Sequence, residues 1–200
     1  MTTQLQKAQS GIVTSAMRNA ARLEQCPLDK IVKELAKAHA VLPANPNHKN
    51  LKPVIVGRQF TTKVNANIGK SEECGSIKEE IEKLNVALKS GTDFVMDLSV
   101  GRNIKEIRRE LLNISPKPFG TVPIYEAMSR VNNDVSKLSP QLLLEVVHEQ
   151  AEDGVDFMTI HAGILRKYID KALKRKVGIV SRGGAILASW MRKFNMENPF

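Results

Sequence analysis

The sequence predicts an α/β fold in which strand-helix units of similar length share a parallel sheet, preceded by a helical, loop-rich N-terminal extension. Three observations carry this. From Lys63 onward, short apolar runs alternate with helical stripes, about five strand-helix units in all. The corner Gly91-Thr-Asp93-Phe94-Val-Met96 is echoed by Gly154-Val-Asp156-Phe157-Met-Thr159. Such corners join a helix stop to a strand and belong to βαβ units, whose crossovers leave the strands parallel. Finally, 42% of the 200 residues are hydrophobic, enough for a sizeable core. The boundary falls between an extension over residues 1–62 and a body over residues 63–200.

In chain order, Ile12, Val13, Ala16, Met17 and Ala20 recur at helical spacing and predict an amphipathic helix over about 4–22. Ile31, Val32, Leu35 and Ala38 mark a second helix. Pro43, Pro46 and Pro53 then exclude regular structure from Leu42 to Pro53, because proline fixes φ and removes a donor. Val54 to Gly57 reads as a short edge strand, and Thr61 to Asn67 as the first strand of the body. In the second of these, alternation puts Lys63, Asn65 and Asn67 on one polar face. Carboxamides on a sheet face suggest a polar ligand, since strands buried on both faces are normally continuous Val/Ile/Leu runs.

Ser76 with Glu79 is a capping-box pattern opening a helix that stops at Gly91. A strand at Phe94–Leu98 follows, and Asn103 with Glu106 repeats the cap logic for a helix ended by Ser115-Pro116. Next come a strand at Phe119–Val122 and a short helix near Ile124. Ser139-Pro140 starts a helix that stops at Gly154. The remainder predicts a strand at Phe157–Ile160, a helix at Ile164–Leu173, a strand at Val177–Val180 and a helix at Gly184–Phe194.

The net charge of +9 is concentrated in residues 1–63, with ten Lys/Arg against three Asp/Glu. That leader lacks the interleaved aromatics of a single-strand platform and any groove-reading motif, so no nucleic-acid partner is expected. No apolar run reaches the roughly 20 residues of a membrane-spanning helix, and the first thirty residues lack a signal-peptide pattern. A cytoplasmic protein with no membrane partner is the expectation. Cys26 and Cys74 have no metal-knuckle spacing and read as ordinary thiols. Asn67-Ile68-Gly69-Lys70-Ser71 is no P-loop, because Val64 stands where that loop needs its first glycine.

Five units fit either part of a βα barrel or an open doubly wound sheet. In both, functional groups collect at the carboxyl ends of the strands. That rule selects Asn67, Met96 to Ser99, Tyr125, His161 and Ser181-Arg182-Gly183. Asn67 to Met96 and Met96 to Tyr125 are each 29 residues apart, one unit per group. Ser181-Arg182-Gly183-Gly184 is the sharpest of these signals: backbone donors, a hydroxyl and a guanidinium together are the chemistry of a phosphate site.

Seven stretches in this order resemble the motifs of the phosphomethylpyrimidine synthase family, the thiamine-pyrimidine synthases. They are Val64-Asn-Ala-Asn-Ile-Gly69, Val95-Met-Asp-Leu-Ser99, Ser115-Pro with Gly120-Thr-Val-Pro-Ile-Tyr125, Glu149-Gln-Ala-Glu-Asp-Gly154, Phe157-Met-Thr-Ile-His-Ala-Gly163, Ile179-Val-Ser-Arg-Gly-Gly184 and Glu197-Asn-Pro-Phe200. The resemblance implies that residues 63–200 form an incomplete (β/α)8, TIM-type barrel. It also implies a radical rearrangement of aminoimidazole ribotide into hydroxymethylpyrimidine phosphate, driven by cleavage of S-adenosylmethionine at a [4Fe–4S] cluster, with zinc as a further cofactor and a possible homodimer. Substrate contacts carried over from the family fall on Asn67, Met96, Tyr125, His161, Ser181, Arg182 and Gly183, with His161 also the candidate for proton exchange.

Members of the family continue into an Asp-Gly-Leu-Arg loop, two metal-binding histidines and a C-x2-C-x4-C motif that this sequence does not contain. Three thiolates are needed to hold the cluster with one iron open, and two cysteines cannot supply them. The expectation is therefore an amino-terminal portion of the synthase, holding over half of the substrate site, with no metal ligands and no activity alone. The alternative is a non-catalytic half-barrel that binds a phosphorylated ligand or a complementary chain.

Overall fold

The computed structural model describes residues 2–200. Its leader holds α1 (Gln4–Gln9), α2 (Ser15–Leu23) and α3 (Leu28–Ala36), then β1 (Ala40–Val41), which pairs antiparallel with β2 (Val56–Gly57). The single helix predicted over 4–22 is two helices. Gly11 takes φ +71°, and the Thr14 hydroxyl accepts from Met17 N to open α2 afresh, so local cap chemistry outweighs the apolar periodicity. Met17, Ala20, Ile31, Leu35 and Ile55 close the leader's own core.

The body runs β3 (Asn65–Ile68), α4 (Ile77–Lys89), β4 (Phe94–Asp97), α5 (Ile104–Ile114), β5 (Phe119–Thr121), α6 (Pro123–Arg130), α7 (Pro140–Asp153), β6 (Phe157–Met158), α8 (Arg166–Leu173) and α9 (Arg182–Phe194). Its four strands pair parallel in the order β3-β4-β5-β6. Ile68, Leu84, Val95, Ile107, Leu111 and Phe119 fill the layer between this sheet and α4 and α5. A second core gathers Ile124, Leu143, Val146, Leu187 and Trp190 from α6, α7 and α9.

Ser76, Ser139, Gly91 and Gly154 stop and start helices as their residue types predict. Asn103 does not: it sits at φ +64° without a side-chain cap bond, and α5 opens on the Asn103 carbonyl accepting from Ile107 N. The echoed corners share one device. Asp93 Oδ2 accepts from Val64 N at 2.8 Å, and Asp156 Oδ2 accepts from Phe119 N at 2.8 Å, so each aspartate ties its corner to the next chain over.

The strand predicted at Val177–Val180 is absent, leaving four paired strands in place of five. Those residues are irregular and Val177 and Val180 are 66% and 75% exposed. Strand preference expresses itself only through pairing and packing, and two-residue β6 offers a short edge to pair with.

The proline-rich segment 42–53 docks on the helix-to-strand corners. Asn45 N donates to Asp156 Oδ1 at 2.8 Å, and His48 bonds Asp156 Oδ2 at 2.6 Å and the Ser115 carbonyl at 2.8 Å. Lys52 N donates to the Pro116 carbonyl at 2.9 Å. The leader thus packs on the amino edge of the sheet and leaves the carboxyl edge to the loops.

Candidate functional site

The residues selected from sequence lie at the ends of β3 and β4 (Asn67, Met96), in the first turns of α6 and α9 (Tyr125, Arg182, Gly183) and on the stretches after β6 and before α9 (His161, Ser181). Asn67 is the register partner of Met96, and Met96 in turn pairs with Gly120. Asn65 and Asn67 share a face, with Asn65 Nδ2 donating to Asn67 Oδ1 at 2.7 Å, and both are exposed. Lys63, expected on the same face, lies before the strand and pairs with Glu24 at 2.7 Å. Met96 is half-buried: Thr159 Oγ1 donates to its sulfur at 3.8 Å, and it packs with Tyr125 against the second core. Gly69 permits the ends of β3 and β4 to meet, since a Cβ there would lie 2.7 Å from the backbone of Leu98 and Ser99.

The other group surrounds the start of α9. Ser181 is its N-cap, the hydroxyl accepting from Gly184 N at 3.2 Å. Arg182 and Gly183 therefore supply first-turn N–H groups without intrahelical partners. The Arg182 guanidinium lies 5.6 Å from the centroid of the Tyr125 ring and 3.9 Å from Glu72 Oε2. Glu72 is itself held by Asn133 Nδ2 at 2.6 Å. Both Arg182 and Glu72 are about half exposed, so this pair is weak and readily exchanged. The His161 ring lies against Gly183, where a Cβ would stand 2.3 Å from Cε1, so only glycine fits. Burial depresses the His161 pKa, and the imidazole is neutral at pH 7.

Asn67 is thus placed with Met96, while Tyr125, His161, Ser181, Arg182 and Gly183 gather at α9. Contact of Met96 and Tyr125 with one apolar cluster links the two groups. Sequence reasoning missed Thr159 and Glu72, and it selected Asp97 only as part of a stretch, with no role. Asp97 is 4% exposed, and burial raises its carboxyl to about 6 against the lowering effect of bonds from Ser99 N at 2.9 Å and Ser99 Oγ at 2.5 Å. It lay within the strand-end stretch Met96 to Ser99, and burial was the missing signal. Thr159 and Glu72 act through contacts no local pattern announces.

Two hollows lie elsewhere. One, about 580 Å³, is lined by Arg166, Asp170, Arg192 and Glu197, and the other, about 870 Å³, by Leu35, Val41, Pro43, Ala151 and Phe157. None of the seven selected residues lines either.

A model of the Radical SAM ThiC family matches residues 3–200. Proteins named phosphomethylpyrimidine synthase are similar throughout. That of Halobacterium salinarum is 50% identical over 199 residues, covering 100% of this chain and 42% of the relative. That of Natronomonas pharaonis is 51% identical over 199 residues, with the same coverage. That of Haloarcula marismortui is 50% identical over 197 residues, covering 98% of this chain and 41% of the relative. The chain spans about 42% of the length of the relatives it matches.

Proposed function

Because the chain belongs to the Radical SAM ThiC family, we propose that it takes part in phosphomethylpyrimidine synthesis, a step of thiamine biosynthesis, by holding the phosphorylated substrate, aminoimidazole ribotide. On this reading residues 63–200 are part of a (β/α)8 barrel, residues 1–62 a separate extension, the setting cytoplasmic and the assembly a homodimer. The observation that carries the proposal is the grouping of Arg182, Gly183, His161 and Tyr125 at the amino end of α9, on the carboxyl edge of the parallel sheet.

Each residue has a role its chemistry supports. Backbone N–H groups of Arg182 and Gly183, the helix dipole and the guanidinium attract a phosphate dianion. The Ser181 hydroxyl accepts the cap bond and keeps its proton to donate to a phosphate oxygen. Asn67 and Tyr125 hydrogen-bond ribose or imidazole groups, and Met96 packs on the flat ring. Neutral His161 offers one N–H and one lone pair, the state needed to exchange a proton. Binding energy spent on the remote phosphate fixes the reacting ring.

The family's [4Fe–4S] cluster with S-adenosylmethionine would supply the radical, and zinc is a further cofactor that the family resemblance implies. The residues of this chain do not fit these groups. Cys26 is half-buried in the leader, Cys74 is exposed in the loop after β3, and both are free thiols, one short of a cluster's three. Among the described residues no three His, Cys, Asp or Glu side chains are grouped to hold a metal ion.

Calorimetric titration of the chain with aminoimidazole ribotide tests the reading. Arg182→Ala should weaken binding about ten- to a hundredfold, the cost of losing charge-assisted hydrogen bonds. Equal affinity of variant and parent would overturn it. A second reading, a half-barrel completed by another chain, is favoured by the open outer edges of β3 and β6 and by exposed Val177 and Val180. Stoichiometric co-purification of a second polypeptide on the β6 edge would support it.

A further inference from the structure

The segment after α9 holds a side chain that lies outside the seven residues above and reaches back to one of them. Asn198 Nδ2 donates to the His161 carbonyl at 2.9 Å and to the Ile164 carbonyl at 3.0 Å, while Asn198 Oδ1 accepts from Phe200 N at 3.1 Å. A carboxamide nitrogen carries two protons, so each carbonyl takes one and the donor capacity is used in full. Glu197 works beside it. Its Oε1 accepts from Arg166 N, the first residue of α8, at 2.8 Å and from Asn198 N at 3.1 Å. The chain between β6 and α8 is therefore braced by the two residues that follow α9.

This brace acts on the loop that places His161. The last sheet bond before the loop is Thr159 N donating to the Thr121 carbonyl at 2.9 Å. Beyond it, Ala162 and Gly163 are exposed and bury nothing to hold the backbone. The imidazole has tight tolerance on its other side, where Gly183 leaves no room even for a methyl group. Two contacts thus define the ring: Gly183 fixes how closely it approaches α9, and the amide of Asn198 fixes the backbone from which it projects. Phe200, whose N–H bonds the same carboxamide, packs against the second core and anchors the brace.

We infer that Asn198 is a positioning residue for His161, bonding the loop carbonyls so that the imidazole stays stacked on Gly183 at the amino end of α9. The inference rests on the reading of His161 as a member of the substrate site and names what holds it there. Asn198 itself touches no reacting group and is not a catalytic residue.

The test is a nuclear magnetic resonance titration of histidine ring protons in the whole chain, the His161 signal being assigned by its loss in His161→Gln. In the parent, His161 should titrate below an ordinary imidazole because it is packed and desolvated. In Asn198→Ala and in Asn198→Leu, which keeps the bulk and removes both donors, its midpoint should rise to about 6.5, the free value. The Trp190 indole N–H, bonded to the Leu138 carbonyl at 2.8 Å in the core, should keep its resonance, separating loss of position from loss of fold. An unchanged His161 midpoint in either folded variant overturns the inference. So does loss of the Trp190 signal in both, which would make Asn198 a determinant of the core instead. No phosphorylated ligand enters this measurement, so failure of ribotide binding would sink the functional reading and leave this result standing.

Discussion

Asp97 and His48 place two proton-linked terms in the stability of the chain, and both run the same way. Burial pushes the Asp97 carboxyl up to about 6, with the charge of Glu80 adding to the rise. An acid with a higher pKa folded than unfolded holds its proton more tightly when folded. Its contribution is full only below the ordinary carboxyl value and is lost as the pH rises through about 6, a fall of about 3 kcal/mol. For His48, burial lowers the pKa, but the Asp156 carboxylate and the Ser115 carbonyl outweigh it and the net shift is upward. Its contribution is full below the ordinary imidazole value and is lost as the pH rises through the higher folded one. Urea unfolding of parent, Asp97→Asn and His48→Gln between pH 4 and 9 separates the two. The parent-minus-variant difference should change below pH 6 for Asp97 and above about pH 6.5 for His48; a pH-independent difference would remove the corresponding term. The residue types were visible in the sequence, but their partners were not, since His48 and Asp156 stand 108 positions apart.

Elements are joined by charges as well as by apolar stripes. Arg108 is fully buried on α5 and donates to Glu126 Oε2 of α6 at 2.5 Å and to Asp153 Oδ2 of α7 at 2.6 Å. Arg130 and Gln150 complete the Glu126 carboxylate at 2.6 and 2.7 Å. Replacing Arg108 with Leu leaves Glu126 and Asp153 in the interior with part of their charge uncompensated, and should cost about 3 kcal/mol or more in chemical denaturation. A loss below about 1 kcal/mol would show that the flanking arginines suffice. Stripes and caps made these helices legible at about their true bounds, because such signals act within one turn. Nothing in the stripe Ile104, Ile107 and Leu111 marks Arg108 as buried. Its burial depends on two helices 18 and 45 residues further on.

On the scale of the molecule, the leader packs on the amino edge of the sheet and the predicted site occupies the carboxyl edge, so stabilising contacts and ligand groups lie on opposite edges. On the proposed function, the isolated chain should not turn ribotide over. Product formation in the presence of S-adenosylmethionine and a reductant, with no other polypeptide, would overturn the thiolate argument. The basic leader is expected not to retain the chain on DNA at physiological salt, because its charges are spread over three short helices and a loop, with no stacking aromatics.

Periodicity and caps within a few residues fix the α/β order, the parallel corners and which residue types end β3 and β4 or follow β5 and β6. Packing between distant segments leaves Val177–Val180 without a strand, rests His161 on Gly183, and brings Glu72 and Asn198 to Arg182 and the His161 loop. The physical reason is common to them all. A strand exists through its neighbour, and a side chain's role depends on what the fold brings beside it from tens of residues away.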